Sequence, residues 1–346
     1  MPETSLEPRS DGLAGRLWRL RGTPPAVAGA LFGTLLLVYL VSTLAGSDPR
    51  LYDASRSLGP GSVLRLNVLT LALLAYTVGA GLLEFQIAPN ELAELRGLLG
   101  CDDAHFEAAV ARALPGRATI ALTCAGGALF GASIPLVSWL AACGLDRPWP
   151  WNLHDAWNLA LMMLLFGSMG IFALWGIRFS RLYSSLARRH ARVQLLDPTG
   201  LRLFARRGLR HALYWFVGSG LALLLIIDAA QRGVVLAVIG GTVALGVSAL
   251  LLPALGIHER LVCAKADELV RVRRELERRR AALFGEGEGE ASELPALLAY
   301  ESRIEAVREW PFDTPLLIRF GLLILIPLGS WLGGALVERI VDRALG

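Results

Sequence analysis

The sequence predicts an all-α fold: a polytopic α-helical membrane protein with about seven transmembrane helices and a cytosolic helical hairpin. Three observations lead there. Hydrophobic residues fill 54% of the 346 positions, and the mean hydropathy is +0.51. Charged residues supply only 18%, against about 25% in soluble globular chains. The apolar residues also collect into runs of about 20, the length that crosses a bilayer core, instead of alternating with polar ones.

Seven runs meet that length, near 26–46, 63–83, 118–142, 155–177, 211–229, 233–256 and 315–337. The first is longer than the apolar stretch of a secretory signal and reads as an uncleaved anchor. Basic residues set the direction. Nearly all are arginine; Lys265 is the single lysine. With a cytosolic N-terminus, 26 of the 34 basic residues fall in segments 1–25, 84–117, 178–210 and 257–314, and 6 fall in the outer segments. Basic loops stay on the cytosolic side. The N-terminus is therefore expected inside and the C-terminus outside. Abundant Arg, Ala, Leu and Gly suggest a GC-rich bacterial genome, hence a bacterial inner membrane. Trp149 and Trp151 in an outer loop suit the headgroup level.

The organisation follows. Residues 1–25 form a cytosolic segment, and 26–256 a six-span bundle with cytosolic helical loops at 84–117 and 178–210. Residues 257–314 form a coiled-coil-like hairpin, and 315–346 the last span with a short outer tail. Segment 84–117 reads as two short helices. Asn90 caps the first, which carries Leu92, Leu95 and Leu99 on one face; Asp102 caps the second, with Phe106, Val110 and Leu114. Either helix can lie on the inner leaflet or pack on other cytosolic helices.

Segment 178–210 is densely basic. Arg178, Arg181, Arg188, Arg189 and Arg192 ride a helical extension of the fourth span. Arg202, Arg206, Arg207 and Arg210 lead into the fifth, and only Asp197 opposes them within the segment. Each arginine near anionic lipid contributes about 1 kcal/mol. Arg178, Arg181, Arg188, Arg189, Arg192, Arg206, Arg207 and Arg210 are thus candidate contacts for an anionic phospholipid headgroup or another anionic ligand, unless they only fix topology.

In segment 257–314, Val262, Leu269, Leu276 and Leu283 recur every seven residues, with Val272 between them. A glycine–glutamate run, 285–290, interrupts the pattern. Leu297, Tyr300, Ile304 and Val307 resume it. The expectation is an antiparallel hairpin of helices 258–284 and 293–309. Its surface packs on itself, on a second copy or on a cytosolic protein. Trp310, Pro311, Phe312, Asp313 and Pro315 then return the chain to the membrane, and Arg319 snorkels to the inner surface.

Within the spans, Asn67, Thr70, Tyr76 and Thr77 form a polar side of the second, and Arg65 snorkels outward. His154, Asp155 and Asp228 can meet at the outer face, but their spacing matches no metal site. No ionisable group falls at mid-membrane, as proton-driven transport usually requires. The glycines of the spans suit close helix packing. Nucleotide-binding, zinc-protease, serine-hydrolase and nucleic-acid motifs are absent from the sequence. The four cysteines have no zinc spacing. No cofactor and no nucleic acid are expected. The composition points to a non-enzymatic, channel-like or transport-related membrane protein of unknown substrate. The alternative is a scaffold or signalling subunit that binds a partner through its hairpin.

Overall fold

The computed structural model describes residues 24–45, 60–143, 153–196, 199–224, 232–283 and 294–323, with 325 and 329. The described chain is helical throughout, without a strand. Its helices are α1 (Pro24–Ala45), α2 (Pro60–Leu98), α3 (Asp103–Ala113), α4 (Arg117–Cys143), α5 (Leu153–His190), α6 (Arg202–Leu223), α7 (Arg232–Leu283), α8 (Leu294–Glu305) and α9 (Thr314–Leu323). A 3₁₀ turn, Thr199–Leu201, precedes α6. Five helices, α1, α2, α4, α5 and α7, are long and apolar enough to cross a membrane. The expected fifth and seventh spans coincide with α6 and α9, but their C-terminal parts lie outside the described residues.

Three of these rods exceed any bilayer. At 1.5 Å per residue, the 39 residues of α2, 38 of α5 and 52 of α7 run about 58, 57 and 78 Å, against a hydrocarbon core of about 30 Å. Each therefore has a surplus length that packs outside an apolar slab of that thickness. α5 is the hub, touching α2, α3, α4 and α7; α6 packs on α2 and α7, and α1 on α2. α2 and α5 run in the same direction and end together. The Gly100 N–H donates to the His190 carbonyl at 2.7 Å, and the Arg192 N–H donates to the Leu98 carbonyl at 3.0 Å.

Two expectations need correction here. Segment 84–98 is not a separate helix capped by Asn90. α2 runs through Pro89 and Asn90 without a break, because Leu95 and Leu99 continue its buried face onto α5. The helix tolerates Pro89 since tertiary packing outweighs one lost backbone bond. The second helix, α3, does begin after Asp102, but the Asp102 side chain makes no capping bond. α3 packs on other helices: Phe106 and Ala109 are buried in the same cluster as Phe179, Leu182, Leu186 and Phe204.

The outward faces are apolar in a way water does not support. Leu122, Leu129, Phe130 and Val137 of α4, Leu37 and Val41 of α1, and Ile318 and Leu322 of α9 are all exposed. The polar residues of α2 expected in the second span face inward. Asn67, Thr70 and Thr77 are buried. Asn67 accepts a bond from the Trp157 indole at 3.1 Å, and the Tyr76 hydroxyl donates to the Tyr214 carbonyl at 3.0 Å. Arg65 donates to the Leu224 carbonyl at 3.3 Å, where the end of α6 carries partial negative charge.

Glycine allows α4 to approach α5. A Cβ at Gly127 would run into the Phe166 carbonyl, and one at Gly131 into that of Met162. Gly126, next in the chain, faces open space. Gly127→Leu should therefore lower stability by about 1–3 kcal/mol through overpacking, while Gly126→Leu leaves it unchanged. Thermal unfolding of the two purified variants checks this contrast.

Candidate functional site

The organising chemistry lies where α2, α5 and α6 meet. On α2, Glu84 and Glu91 are two turns apart and so share a face. On α6, Arg207 is almost one turn before Arg210. Packed together, they interlock. Arg207 Nη1 lies 2.5 Å from Glu91 Oε2, and Arg210 Nη1 lies 2.7 Å from Glu91 Oε1. Arg210 Nε donates to Glu84 Oε1 at 2.7 Å, and Arg207 Nη2 stands 3.7 Å from Glu84 Oε2. Arg206, further out, pairs with Glu94 at 2.5 Å.

This cluster is buried. Arg207 is 3% exposed and Glu91 2%. α5 supplies the other wall: the Arg207 guanidinium sits 4.5 Å from the Tyr183 ring centre and 5.5 Å from that of Phe179. A cation over aromatic faces gains further attraction. Isolated charges would not tolerate such a place, since desolvation costs several kcal/mol per ion. Two arginines and two glutamates neutralise one another.

His211 extends the cluster toward the apolar half of the bundle. Its Nδ1 lies 3.7 Å from Glu84 Oε1. The ring stacks on Phe172 with centres 5.4 Å apart. Gly176 makes room for it, since a Cβ there would overlap the imidazole. Neither ring nitrogen has a hydrogen-bond partner among the described residues. Beside it, between α2 and α5, is a cavity of about 210 Å³. Its walls include Val78, Gly81, Phe85, Phe172 and Trp175; Glu84, Arg207 and His211 line it too, with the hydroxyl residues Thr77 and Ser168. Among the described residues no group of His, Cys, Asp or Glu forms a metal site.

The arginines singled out in the sequence thus divide. Arg206, Arg207 and Arg210 are paired with α2 glutamates, and Arg188 with Glu259 of α7 at 2.7 Å. Asp197, the acidic residue within the segment, lies outside the described residues, and the counter-charges of these four arginines come from other helices. Arg207 is too buried to meet a lipid headgroup. Arg178, Arg181 and Arg189 instead line a groove between α3 and α5. Arg192 lies just past the end of α5 and is exposed.

α8 runs antiparallel along α7. Arg273 bonds Glu301 and Glu305, each at 2.7 Å, the Tyr300 hydroxyl donates to Glu268 at 3.1 Å, and Lys265 donates to the Val307 carbonyl at 3.0 Å. The hydrogen bond that Arg273 donates to Glu301 leads the causes that hold Arg273 above its ordinary pKa. Val272 and Ile304 are buried. Leu269, Leu276, Leu297, Tyr300 and Val307 are half-buried, and the surroundings of Leu283 lie outside the described residues. Val262 departs from the expected seam: it is 37% exposed, and Leu261 is buried in its place. The helix here faces the α5 cluster as well as the segment that follows α8, which shifts its buried stripe by one residue.

At the elbow, the His258 ring stacks on Trp310 with centres 4.0 Å apart, and Trp310 stacks on Phe312 at 5.6 Å. Phe312 is buried against α6 and α7. Asp313 Oδ1 accepts the Leu316 N–H at 2.9 Å, capping α9 just before Pro315. Pro311 stands in the bend, and Arg319 is exposed.

The glutamates and His211 were missed by sequence reasoning. A signal existed: Glu84, Glu91 and Glu94 recur on α2 at helical spacing, just after an apolar run, and Arg206, Arg207 and Arg210 precede another such run. Pairing them required knowing that α2 and α6 touch. No family model, curated protein or solved structure matches the chain. Fold and site together define a helical protein with several helices fit to cross a membrane, knit by a buried ion-pair cluster.

Removing one member of that cluster leaves an uncompensated buried charge. Glu91→Ala should destabilise the protein by about 3–5 kcal/mol. Glu94→Ala, which loses a half-exposed pair, should cost no more than about 1 kcal/mol. Thermal or denaturant unfolding of both variants measures the difference.

Proposed function

We propose that the chain is a seven-span protein of a bacterial inner membrane, N-terminus cytosolic and C-terminus external, and that it is a non-enzymatic, channel-like or transport-related component. The basic asymmetry of the sequence supports the orientation. The exposed apolar faces of α1, α4 and α9 support lipid contact. The observation that carries the transport reading is the cavity between α2 and α5. It has apolar walls and polar groups in Glu84, Arg207 and His211. Such a cavity suits a small, mostly apolar solute that offers one hydrogen-bonding group to the imidazole.

A second reading, a scaffold or signalling subunit, has its own support. Val270 and Leu298 are exposed on the α7–α8 pair, outside the proposed spans, and apolar residues there suit a cytosolic protein or a second copy.

Two measurements test these readings. A reporter active only outside the cytosol should give signal when fused at Gly346 and none at Gly287; the reverse pattern rejects the orientation. In proteoliposomes, the protein should pass a small solute or ion, and Gly81→Leu, which fills the cavity beside Phe172, should block that passage by 10-fold or more, an order-of-magnitude expectation. Absence of flux for a broad panel of ions and small solutes, with a soluble protein co-purifying through α7 and α8, would replace transport with the scaffold reading.

A further inference from the structure

We infer that the groove between α3 and α5 is a binding site for a phosphate-bearing anion. Its position at a membrane surface, though not its chemistry, rests on the topology proposed above. The groove encloses about 460 Å³, and Arg112, Arg178, Arg181 and Arg189 line it with His105 and His190. Its floor is apolar, from Ala109, Leu182 and Leu186. An adjoining hollow brings Arg181 and Arg189 together with Ser184 and Arg188.

The argument rests on a contrast within one basic segment. Where an arginine of 178–210 meets another helix, the fold supplies a carboxylate: Glu259 for Arg188, Glu94 for Arg206, Glu91 and Glu84 for Arg207 and Arg210. In the groove it supplies none. Its lining contains no acidic residue. Among the described residues, no carboxylate lies within ion-pair distance of Arg178, Arg181 or Arg189, while Arg112 bonds only the Ala108 carbonyl of its own helix. Four guanidiniums around one concavity repel one another. An anion with several acceptor oxygens removes that repulsion, and the planar fork of arginine matches phosphate oxygens two at a time.

The four arginines also stand at different depths. Arg178 directly follows the proposed fourth span, 155–177, at headgroup level. Arg189 lies 11 residues further along α5, about 16 Å at the helical rise. The phosphodiester of an inner-leaflet phospholipid reaches Arg178 and Arg181. A soluble phosphate compound also reaches Arg189 and Arg112. The same chemistry thus has two sources, and the upper and lower pairs of arginines separate them.

The test uses full-length protein in nanodiscs. One arm titrates inorganic pyrophosphate into discs of phosphatidylcholine alone. The other measures retention of phosphatidylglycerol by native mass spectrometry from mixed discs. The variants are R178Q/R181Q and R112Q/R189Q, with R273Q as a control that removes charge from α7. Two arginines at about 1 kcal/mol each convert to an affinity loss of about 30-fold. Loss of lipid retention confined to R178Q/R181Q assigns the site to a headgroup. Loss of pyrophosphate binding in both double variants assigns it to a soluble anion. Both double variants should keep the wild-type melting temperature in phosphatidylcholine, or gain a little as repulsion falls. The inference is overturned if neither anion binds above background, or if R273Q loses as much as the double variants.

Discussion

Burial of the Arg207–Glu91 pair is the constraint on which the arrangement of α2, α5 and α6 depends. Arg207, 3% exposed, and Glu91, 2% exposed, find counter-charges only within the cluster they form with Glu84 and Arg210. Their geometry therefore dictates which faces of α2 and α6 meet and at what height. Tyr183 and Phe179 complete the enclosure from α5, so one arginine of α6 ties together α2 and α5. Hydrophobic contacts alone tolerate sliding by a residue or a small rotation. An interlocked pair of arginines and glutamates does not, because any slip leaves a charge without its counter-charge.

The surplus length of the rods takes meaning from this lock. Beyond the apolar belt, α2, α5 and α7 continue together with α3 and the start of α6 to build a second core of Leu95, Phe106, Leu186, Phe204 and Ile257. The apolar bundle and this compact helical extension share the same helices without a joint between them. Glycines serve the same end: a Cβ at Gly256 of α7 would strike the Ser184 carbonyl of α5, so the two rods touch backbone to backbone at the arginine-rich end.

Much of the helical content was legible in the sequence, because long apolar runs leave few alternatives. The helical stretch that carries Arg178 and Arg189 on from the apolar part of α5 is local, and local chemistry announces it. What was not legible is tertiary. Pro89 and Asn90 read as a helix boundary, yet packing of Leu95 and Leu99 carries α2 past them. Val262 fits a heptad, yet α7 turns Leu261 inward because two neighbours compete for its surface. Arg206, Arg207 and Arg210 looked unopposed because their glutamates lie over a hundred residues away, as with Arg207 and Glu91. Heptads and caps record neighbours in sequence; salt bridges between distant helices leave no such record.

The backbone clasp between Leu98, Gly100, His190 and Arg192 has a mechanical consequence. Two bonds crosslink the ends of parallel rods, so α2 and α5 cannot move as pistons without breaking both. Rotation about the clasp remains. A swing of about 5° over the roughly 58 Å of α2 carries its far end about 5 Å, so the gap between the rods widens with distance from the pivot. The crevice beside His211 lies nearer the pivot than the free ends do. It therefore responds to such scissoring by smaller changes of width than the opposite rim.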